Sequence, residues 1–219
     1  RQPMRANIPV QVLCVRYLPN ADPALCQALG VSGDWRCLAL LSTDCDDATY
    51  IALDEATKAS TVRVCYARSL YAGAANASTP LAGEVIGILA GPTPSEVKSG
   101  MEAALSMLSS GTVGFRGTQA LENLTYLAHT VSRTGSFLSQ EARIPEGEPL
   151  AYLVAPPVEA MTALDSAMKA ADVRLAKLFD PPSETNFGGG LLTGTQSACR
   201  AACDAFAAAV EEIAADPRS

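Results

Sequence analysis

The sequence contains few of the residues on which catalysis and nucleic-acid binding usually depend. It has one histidine, and its 16 lysine and arginine residues are outnumbered by 23 aspartate and glutamate residues, which gives a net charge of −7. A nucleic-acid partner requires a basic surface that neutralises phosphates, so this balance argues against DNA or RNA binding. No run approaches the roughly 18 to 20 apolar residues of a membrane-spanning helix, so we predict no membrane partner.

Paired cysteines are also lacking. The seven cysteines are an odd number without a Cys-x-x-Cys motif, and Cys199 and Cys203, one helical turn apart, make a poor metal site by themselves. The single histidine, His129, lies in the apolar run Leu124–Val131 and is predicted to be packed rather than catalytic. With no signal-peptide pattern at the N-terminus, we expect reduced cysteines in a cytoplasmic protein, with no metal and no cofactor.

What the sequence does contain is an internal duplication. The segment Ala52–Arg63 matches Ala163–Arg174 at an offset of 111, with eight of twelve positions identical. Apolar runs precede both segments, and a glycine-bearing loop and a second helix follow both. We therefore predict two repeats, residues 1–117 and 118–219, with the boundary in the Gly/Thr-rich stretch that ends at Gly117.

Periodicity predicts the same elements in each repeat. Alanines recur at helical spacing in both matched segments, and alternating apolar residues follow them, so the order is β-α-β-loop-β-α. A further strand precedes each block, at Val10–Leu18 and at Asn123–Val131. We expect Asp47 or Thr49 to cap the first matched helix, and Pro156-Pro157 to begin the second. Each repeat is thus predicted to be an α+β sandwich.

This order of elements, with a lysine at the end of the first helix, resembles the bacterial microcompartment (BMC) shell domain. In that family the lysine lies at the edge of a tile, and the strand-to-strand loop lines a pore. The resemblance therefore implies tile-edge roles for Lys58 and Lys169, and pore-side loops at Ser69–Gly83 and Asp180–Gly190.

The strand before each unit matches the circularly permuted form of the domain, and two permuted copies in one chain are similar to the ethanolamine-utilisation (EutL) type. The runs that support this are Asp44–Ala59, Arg68–Ala75, Val131–Gly135, Ala151–Pro157 and Pro181–Asn186. The resemblance implies a homotrimer that forms a pseudohexameric tile, tiled with neighbouring shell proteins in a facet. It also implies gated pores for small metabolites and no enzyme activity.

The two repeats differ most at an acidic segment before the first matched helix. By similarity to the EutL type, Asp46 and Asp47, with Glu84, line a small pore and hold the ammonium group of ethanolamine. The alternative is that the carboxylates of this segment, Asp44 included, cap the helix and interact with its dipole.

The same similarity places four residues of the second half of the chain at that pocket. Phe115 corresponds to an aromatic ring whose face can hold a cation, and Glu184, Thr185 and Asn186 correspond to loop residues of the pocket. The alternative for the last three is a turn after Pro181-Pro182, which Thr and Asn suit equally well. The Gly/Ala-rich segment Leu70–Ala82 suits a gate that moves.

Two other classes of protein remain as alternatives. Carboxylates near Asp46 and Glu84 could perform acid–base chemistry, although no nucleophile lies beside a base in the sequence. A metabolite-sensing regulatory oligomer of duplicated α+β domains is the second alternative. Sheet formation separates a tile from a sensor, because a sensor stays a discrete oligomer.

Overall fold

The structure is a computed structural model that describes residues 4–31, 33–70, 84–181 and 183–218. The first half of the chain forms β1 (Val12–Leu18), α1 (Pro23–Ala28), β2 (Cys37–Thr43), α2 (Asp46–Ala59), β3 (Arg63–Ser69), β4 (Val85–Gly91) and α3 (Pro94–Ser110). The second half forms β5 (Arg116–Gly117), β6 (Thr125–Val131), α4 (Ser136–Ala142), β7 (Leu150–Ala155), α5 (Pro157–Ala170), β8 (Arg174–Phe179), β9 (Gly188–Thr193) and α6 (Gln196–Ala215).

The two halves have the same sheet topology, which confirms the predicted duplicated α+β fold. One sheet has the strand order β1-β2-β4-β3, and the other has the order β5-β6-β7-β9-β8. Within the described residues, the two sheets differ only by the short strand β5. All neighbouring strands are antiparallel. The order β-α-β-loop-β-α, with a strand before it, is confirmed in both halves.

The chain folds into two compact units that exchange short segments of sequence. The N-terminal unit consists of Pro9–Val113 together with Gly135–Leu138. The C-terminal unit consists of Arg1–Ile8, Gly114–Thr134 and Ser139–Ser219. The boundary at Gly117 concerns the repeats of the sequence and stays a prediction.

In the N-terminal unit, residues of β2 and β4 alternate between two covered faces of the sheet. Leu38, Ile88 and Ala90 pack with Cys26 of α1 in one apolar cluster. The intervening residues, such as Leu89, are also buried, and α2 and α3 contact each other as well as these strands. Because both faces are covered, β2 and β4 form the centre of the sheet in burial as well as in order.

In the C-terminal unit, helices α5 and α6 cover the corresponding face of the second sheet. Leu153 and Leu192 pack against a stripe of small residues on the two helices and against Phe206. The stripe includes Ala163 and Ala167, which belong to the alanine pattern seen in the sequence. Small side chains let the helices lie close to the sheet, and the bulk of Phe206 fills the space between them.

The beginning of α2 differs from the prediction. We expected Asp47 or Thr49 to cap this helix, but its N-cap is Cys45, which makes no side-chain capping hydrogen bond. The hydroxyl of Thr49 instead lies 2.8 Å from the hydroxyl of Thr43, so it is occupied inside the fold. Helix α5 begins as predicted, with Pro157 in its first turn.

Candidate functional site

The predicted acidic residues lie together at one end of the sheet in the N-terminal unit. Thr43, the last residue of β2, pairs with Val85, the first residue of β4. Asp44 follows the first of these residues and Glu84 precedes the second, so the antiparallel register places the two carboxyl groups at the same sheet end. Asp46 and Asp47 follow in the first turn of α2. Four carboxyl groups thus converge where the chain passes from strand to helix.

Asp44 is held by the backbone of the neighbouring strand region. Its Oδ1 accepts a hydrogen bond of 2.8 Å from the backbone N–H of Gln11, and its own N–H donates to the Gln11 carbonyl at 3.1 Å. Burial raises the pKa of Asp44, and the negative charge of Glu84 raises it further, whereas the hydrogen bond from Gln11 lowers it. Asp44 therefore contributes to the electrostatics of Glu84 rather than acting as a cap.

Asp46 is buried and fully engaged in hydrogen bonds. Its Oδ2 accepts a hydrogen bond of 2.7 Å from the hydroxyl of Ser69, and its Oδ1 accepts one of 2.8 Å from the N–H of Asp47. The Ser69 hydroxyl also contacts the hydroxyl of Tyr50, so three side chains form a connected row. Burial raises the pKa of Asp46, although both hydrogen bonds lower it. A carboxylate so enclosed is a source of negative potential more than an open ligand.

Sequence reasoning missed Ser69, the hydroxyl partner of Asp46, and Tyr50, whose hydroxyl contacts that of Ser69. A signal for Tyr50 was present, because it lies four residues after Asp46 on the same helix face. Ser69 gave no comparable signal, since only the fold brings the end of β3 to the start of α2. Ser69 and Leu70 also begin the predicted pore-side loop, and the Leu70 N–H donates to the Glu84 carbonyl at 2.7 Å. Most of that loop, and most of the predicted gate, lie outside the described residues.

The remaining predicted ligand residues lie in the C-terminal unit. Phe115 is buried, and its ring packs edge-on against Phe187, with 5.6 Å between the ring centroids. Phe187 directly follows the predicted loop residues Glu184, Thr185 and Asn186. The structure therefore brings Phe115 and this loop together within one unit, while Asp46, Asp47 and Glu84 belong to the other unit.

The loop before β9 is a hydrogen-bonded turn, as the alternative interpretation predicted. The N–H of Asn186 donates to the carbonyl of Ser183 at 3.0 Å, and the N–H of Ser183 donates to the carbonyl of Phe187 at 2.8 Å. Asn186 has a φ of 66°, a left-handed conformation that asparagine tolerates well. Thr185 is buried, whereas Glu184 is exposed. The turn accounts for Asn186, and the exposed carboxylate of Glu184 remains available to a ligand.

The two predicted edge lysines occupy matched helix ends but differ in exposure. Lys58 lies in the last turn of α2, where its Nζ is 2.7 Å from Glu55 and its side chain is 16% exposed. Lys169 lies in the last turn of α5, where its Nζ is 2.7 Å from Asp165 and its side chain is 76% exposed. Lys169 is therefore the freer of the two to contact another molecule.

Among the residues that the structure describes, no group of three or more His, Cys, Asp or Glu side chains is placed to hold a metal ion. No helix found there has the length and hydropathy to cross a membrane.

Comparison with known proteins identifies the architecture. The BMC domain family model matches residues 37–115. The chain is 59% identical over 206 residues to the bacterial microcompartment shell protein EutL of Clostridium perfringens, which is 94% of this chain and 94% of that protein. The crystal structure of the ethanolamine utilisation protein EutL from Leptotrichia buccalis superposes with a TM-score of 0.91 at 56% identity, covering 99% of this chain and 100% of that chain.

A more distant structure shares the fold. The trimeric bacterial microcompartment shell protein PduB superposes with a TM-score of 0.77 at 19% identity, over 91% of this chain and 87% of that chain. This chain and PduB thus share one fold. The similarities confirm the predicted tandem repeat of permuted domains.

Proposed function

Because the chain belongs to the EutL family of bacterial microcompartment shell proteins, we propose that it assembles as a homotrimer into a pseudohexameric tile of such a shell. Its role is structural, as the names of its relatives state, and neither the enzyme nor the sensor alternative finds support among them. The observation that supports the proposal is the 59% identity to a bacterial microcompartment shell protein over 94% of both chains. The shell lies in the bacterial cytoplasm, and its other members contact this tile within a facet.

The duplicated fold supports a ring of three chains. Six similar units arranged head to tail bury more surface than one chain buries alone, and closure of the ring stops growth at a defined size. We extend the proposal to the repeat boundary at Gly117, with one BMC repeat in residues 1–117 and one in residues 118–219.

The assembly test is the native mass of the protein, followed by electron microscopy of the same sample. We expect three times the chain mass of 22.7 kDa, and flat, hexagonally spaced sheets when the sample is concentrated. A monomer that never forms sheets overturns the tile. Lys169→Glu should abolish sheets but keep the trimer, because it reverses the exposed charge at the proposed edge, whereas Lys98→Glu on α3 should leave both unchanged. Lys58→Glu tests the second edge residue in the same way.

We also propose that the tile passes small metabolites and holds a small primary ammonium compound at the acidic residues. Asp46, Asp47 and Glu84 supply negative potential, and the proposal also assigns ligand binding to Phe115, Glu184, Thr185 and Asn186. Burial raises the pKa of Asp44 and of Asp46, which supports this, because a bound cation offsets the cost of burying a charged carboxylate.

The binding test is titration calorimetry with ethanolamine, and with ethylene glycol as a neutral control of similar size. Ethanolamine should release heat on binding and ethylene glycol should not, because the ammonium charge is what the carboxylates recognise. Asp47→Asn should weaken binding at least tenfold, and Asp204→Asn, at an exposed position of α6, should leave it unchanged. Equal binding of both compounds contradicts the proposed site.

A further inference from the structure

One segment of the second half of the chain is built into the N-terminal unit and packs on a single face of α2. That face consists of Tyr50, Asp54 and Thr57, and the segment is Gly135–Leu138. Asp54 accepts hydrogen bonds from the N–H groups of Gly135, at 2.8 Å, and Leu138, at 2.9 Å. The Thr57 hydroxyl accepts one of 3.1 Å from the N–H of Ser136, and the rings of Tyr50 and Phe137 lie 6.1 Å apart.

The duplication provides an equivalent of each side of this contact. Strands β1 and β6 correspond at an offset of 113 residues, since Val12–Leu18 matches Thr125–Val131. The same offset relates Gly135–Leu138 to 22–25, the start of α1. Helices α2 and α5 correspond at an offset of 111 residues. The face on α5 that corresponds to the face on α2 therefore consists of Met161, Asp165 and Met168.

The start of α1 and the matching face of α5 are exposed, whereas their equivalents in the N-terminal unit are buried against each other. Leu138 is 2% exposed, but its equivalent Leu25 is 44% exposed on α1. Asp54 is 1% exposed, whereas its equivalent Asp165 lies on the surface in an ion pair with Lys169. Met168, the equivalent of Thr57, is 39% exposed. Each of the two matching surfaces thus exposes a large apolar side chain to solvent, Leu25 on α1 and Met168 on α5.

We propose that a second copy of this chain docks the start of its α1, through Leu25, onto the Met161–Asp165–Met168 face of α5. This contact repeats between copies the one that Leu138 makes inside the chain, and it rests on the proposed homotrimer. Each copy offers one donor surface and one acceptor surface, so the contact is head to tail, and in the proposed trimer three such contacts close the ring. The occupant is a second copy because Gly135–Leu138, which packs on α2 inside the chain, is the repeat of the segment 22–25 that would dock on α5.

The contact between copies is apolar, whereas the contact inside the chain is a polar clamp. A Cβ on Gly135 would collide with Thr57 and with the backbone of Asp54, so only glycine allows the clamp to close. The equivalent residue is Asp22, which already caps α1 by accepting a hydrogen bond of 2.8 Å from the N–H of Ala24. The N–H of Leu25 also points to Asp22, at 3.4 Å, and Pro23, the equivalent of Ser136, has no N–H to donate. The flexible side chain of Met168 packs on Leu25 in place of such a clamp.

The first experiment tests the contact with charged substitutions. Leu25→Asp and Met168→Asp should each shift the native mass from three chains toward one at the same protein concentration, because each places an unpaired charge in the contact. Leu121→Asp, at an exposed leucine outside both surfaces, is the matched control and should stay trimeric. Combining Leu25→Lys with Met168→Asp should restore the trimer, which neither a folding defect nor a general loss of solubility can explain.

The second experiment is a positive one. In a Cys14→Ser background, which removes the exposed native thiol, the double variant Leu25→Cys with Met168→Cys is treated with a short bismaleimide. It should give covalent species of two and three chains, and neither single variant should. Circular dichroism of each variant verifies that it is folded. If the unaltered protein is trimeric but the charged variants stay trimeric and the cysteine pair does not cross-link, this inference fails while the proposed function stands. If the unaltered protein is never trimeric, the proposed tile fails first.

Discussion

Substitution of Asp54 by asparagine is the sharpest test of how the N-terminal unit holds its exchanged segment. The carboxylate is buried, and its two oxygens each accept a backbone N–H, from Gly135 and from Leu138. An asparagine can accept only one of these hydrogen bonds with its oxygen, and its NH₂ group must face the other N–H. Asp54→Asn thus leaves one buried donor without an acceptor while changing the side-chain volume very little.

The expected magnitude follows from two opposing terms. An unsatisfied buried donor costs about 1–3 kcal/mol, and hydrogen bonds to charged groups are each worth about 1.5–3 kcal/mol. Against this, burial raises the pKa of Asp54 despite the hydrogen bonds that lower it, so the neutral amide avoids a desolvation cost. We expect a net loss of about 2 kcal/mol for Asp54→Asn. Asp54→Ala should lose more, since it leaves both N–H groups unsatisfied.

Native-state hydrogen exchange at the amides of Gly135 and Leu138 measures this loss locally. A loss of about 2 kcal/mol corresponds to a fall in protection of roughly 30-fold, given tenfold for each 1.4 kcal/mol. Asp165→Asn is the matched control, because it removes an exposed ion pair worth about 0–1 kcal/mol at the equivalent helix position. Equal protection at Gly135 in the two asparagine variants would refute the clamp.

Two further predictions concern other residues of the N-terminal unit. Leu138→Ala should lower the free energy of unfolding by about 2–5 kcal/mol in urea titrations, because it empties a buried site. Leu121→Ala, at an exposed leucine, should change it by less than about 0.5 kcal/mol, and similar losses at both sites contradict the assigned burial. Burial raises the pKa of Asp46 above its ordinary value of 3.8, so the folded chain keeps this proton to higher pH than the unfolded chain does. Asp46 therefore lowers the free energy of unfolding as the pH rises above 3.8. Asp46→Asn should therefore gain stability relative to the unaltered protein between about pH 4 and neutral pH, measured by denaturation at a series of pH values, and a constant difference across that range counts against the shift.

Much of the fold could be predicted because the same hydrophobic pattern occurs twice in the sequence. Each helix and strand of the matched blocks falls within a few residues of its predicted place, since alanine stripes and alternating apolar residues are local signals. The predicted N-cap of α2 was wrong because the capping residue depends on where the helix begins, and the helix begins at Asp46. Asp46 and Asp47 are acceptable caps by residue type, and only the fold shows that both lie inside the first turn.

The candidate site was predictable only in part, for a related reason. Asp46, Asp47 and Glu84 could be named through the resemblance to the EutL type. The antiparallel register of β2 with β4 brings Asp44 and Glu84 to one end of the sheet. The hydrogen-bond partner Ser69 lies on a strand that reaches Asp46 only through tertiary structure. The exchange of Gly135–Leu138 into the N-terminal unit has no local signal at all, because glycine there resembles any turn glycine.

Duplication allows the two equivalent contacts of one ring to acquire different chemistry. The contact inside a chain needs no specificity between molecules, so it can rely on a buried carboxylate whose geometry tolerates only glycine at position 135. A contact between copies must form from two solvated surfaces, where burying Asp165 would cost more than its hydrogen bonds return. The exposed Leu25 and Met168 fit that requirement. The two repeats also differ at the acidic segment, where Val158 of the second repeat corresponds to Asp47 of the first. A tile built from such chains therefore has three acidic sites and three interchain contacts rather than six of each.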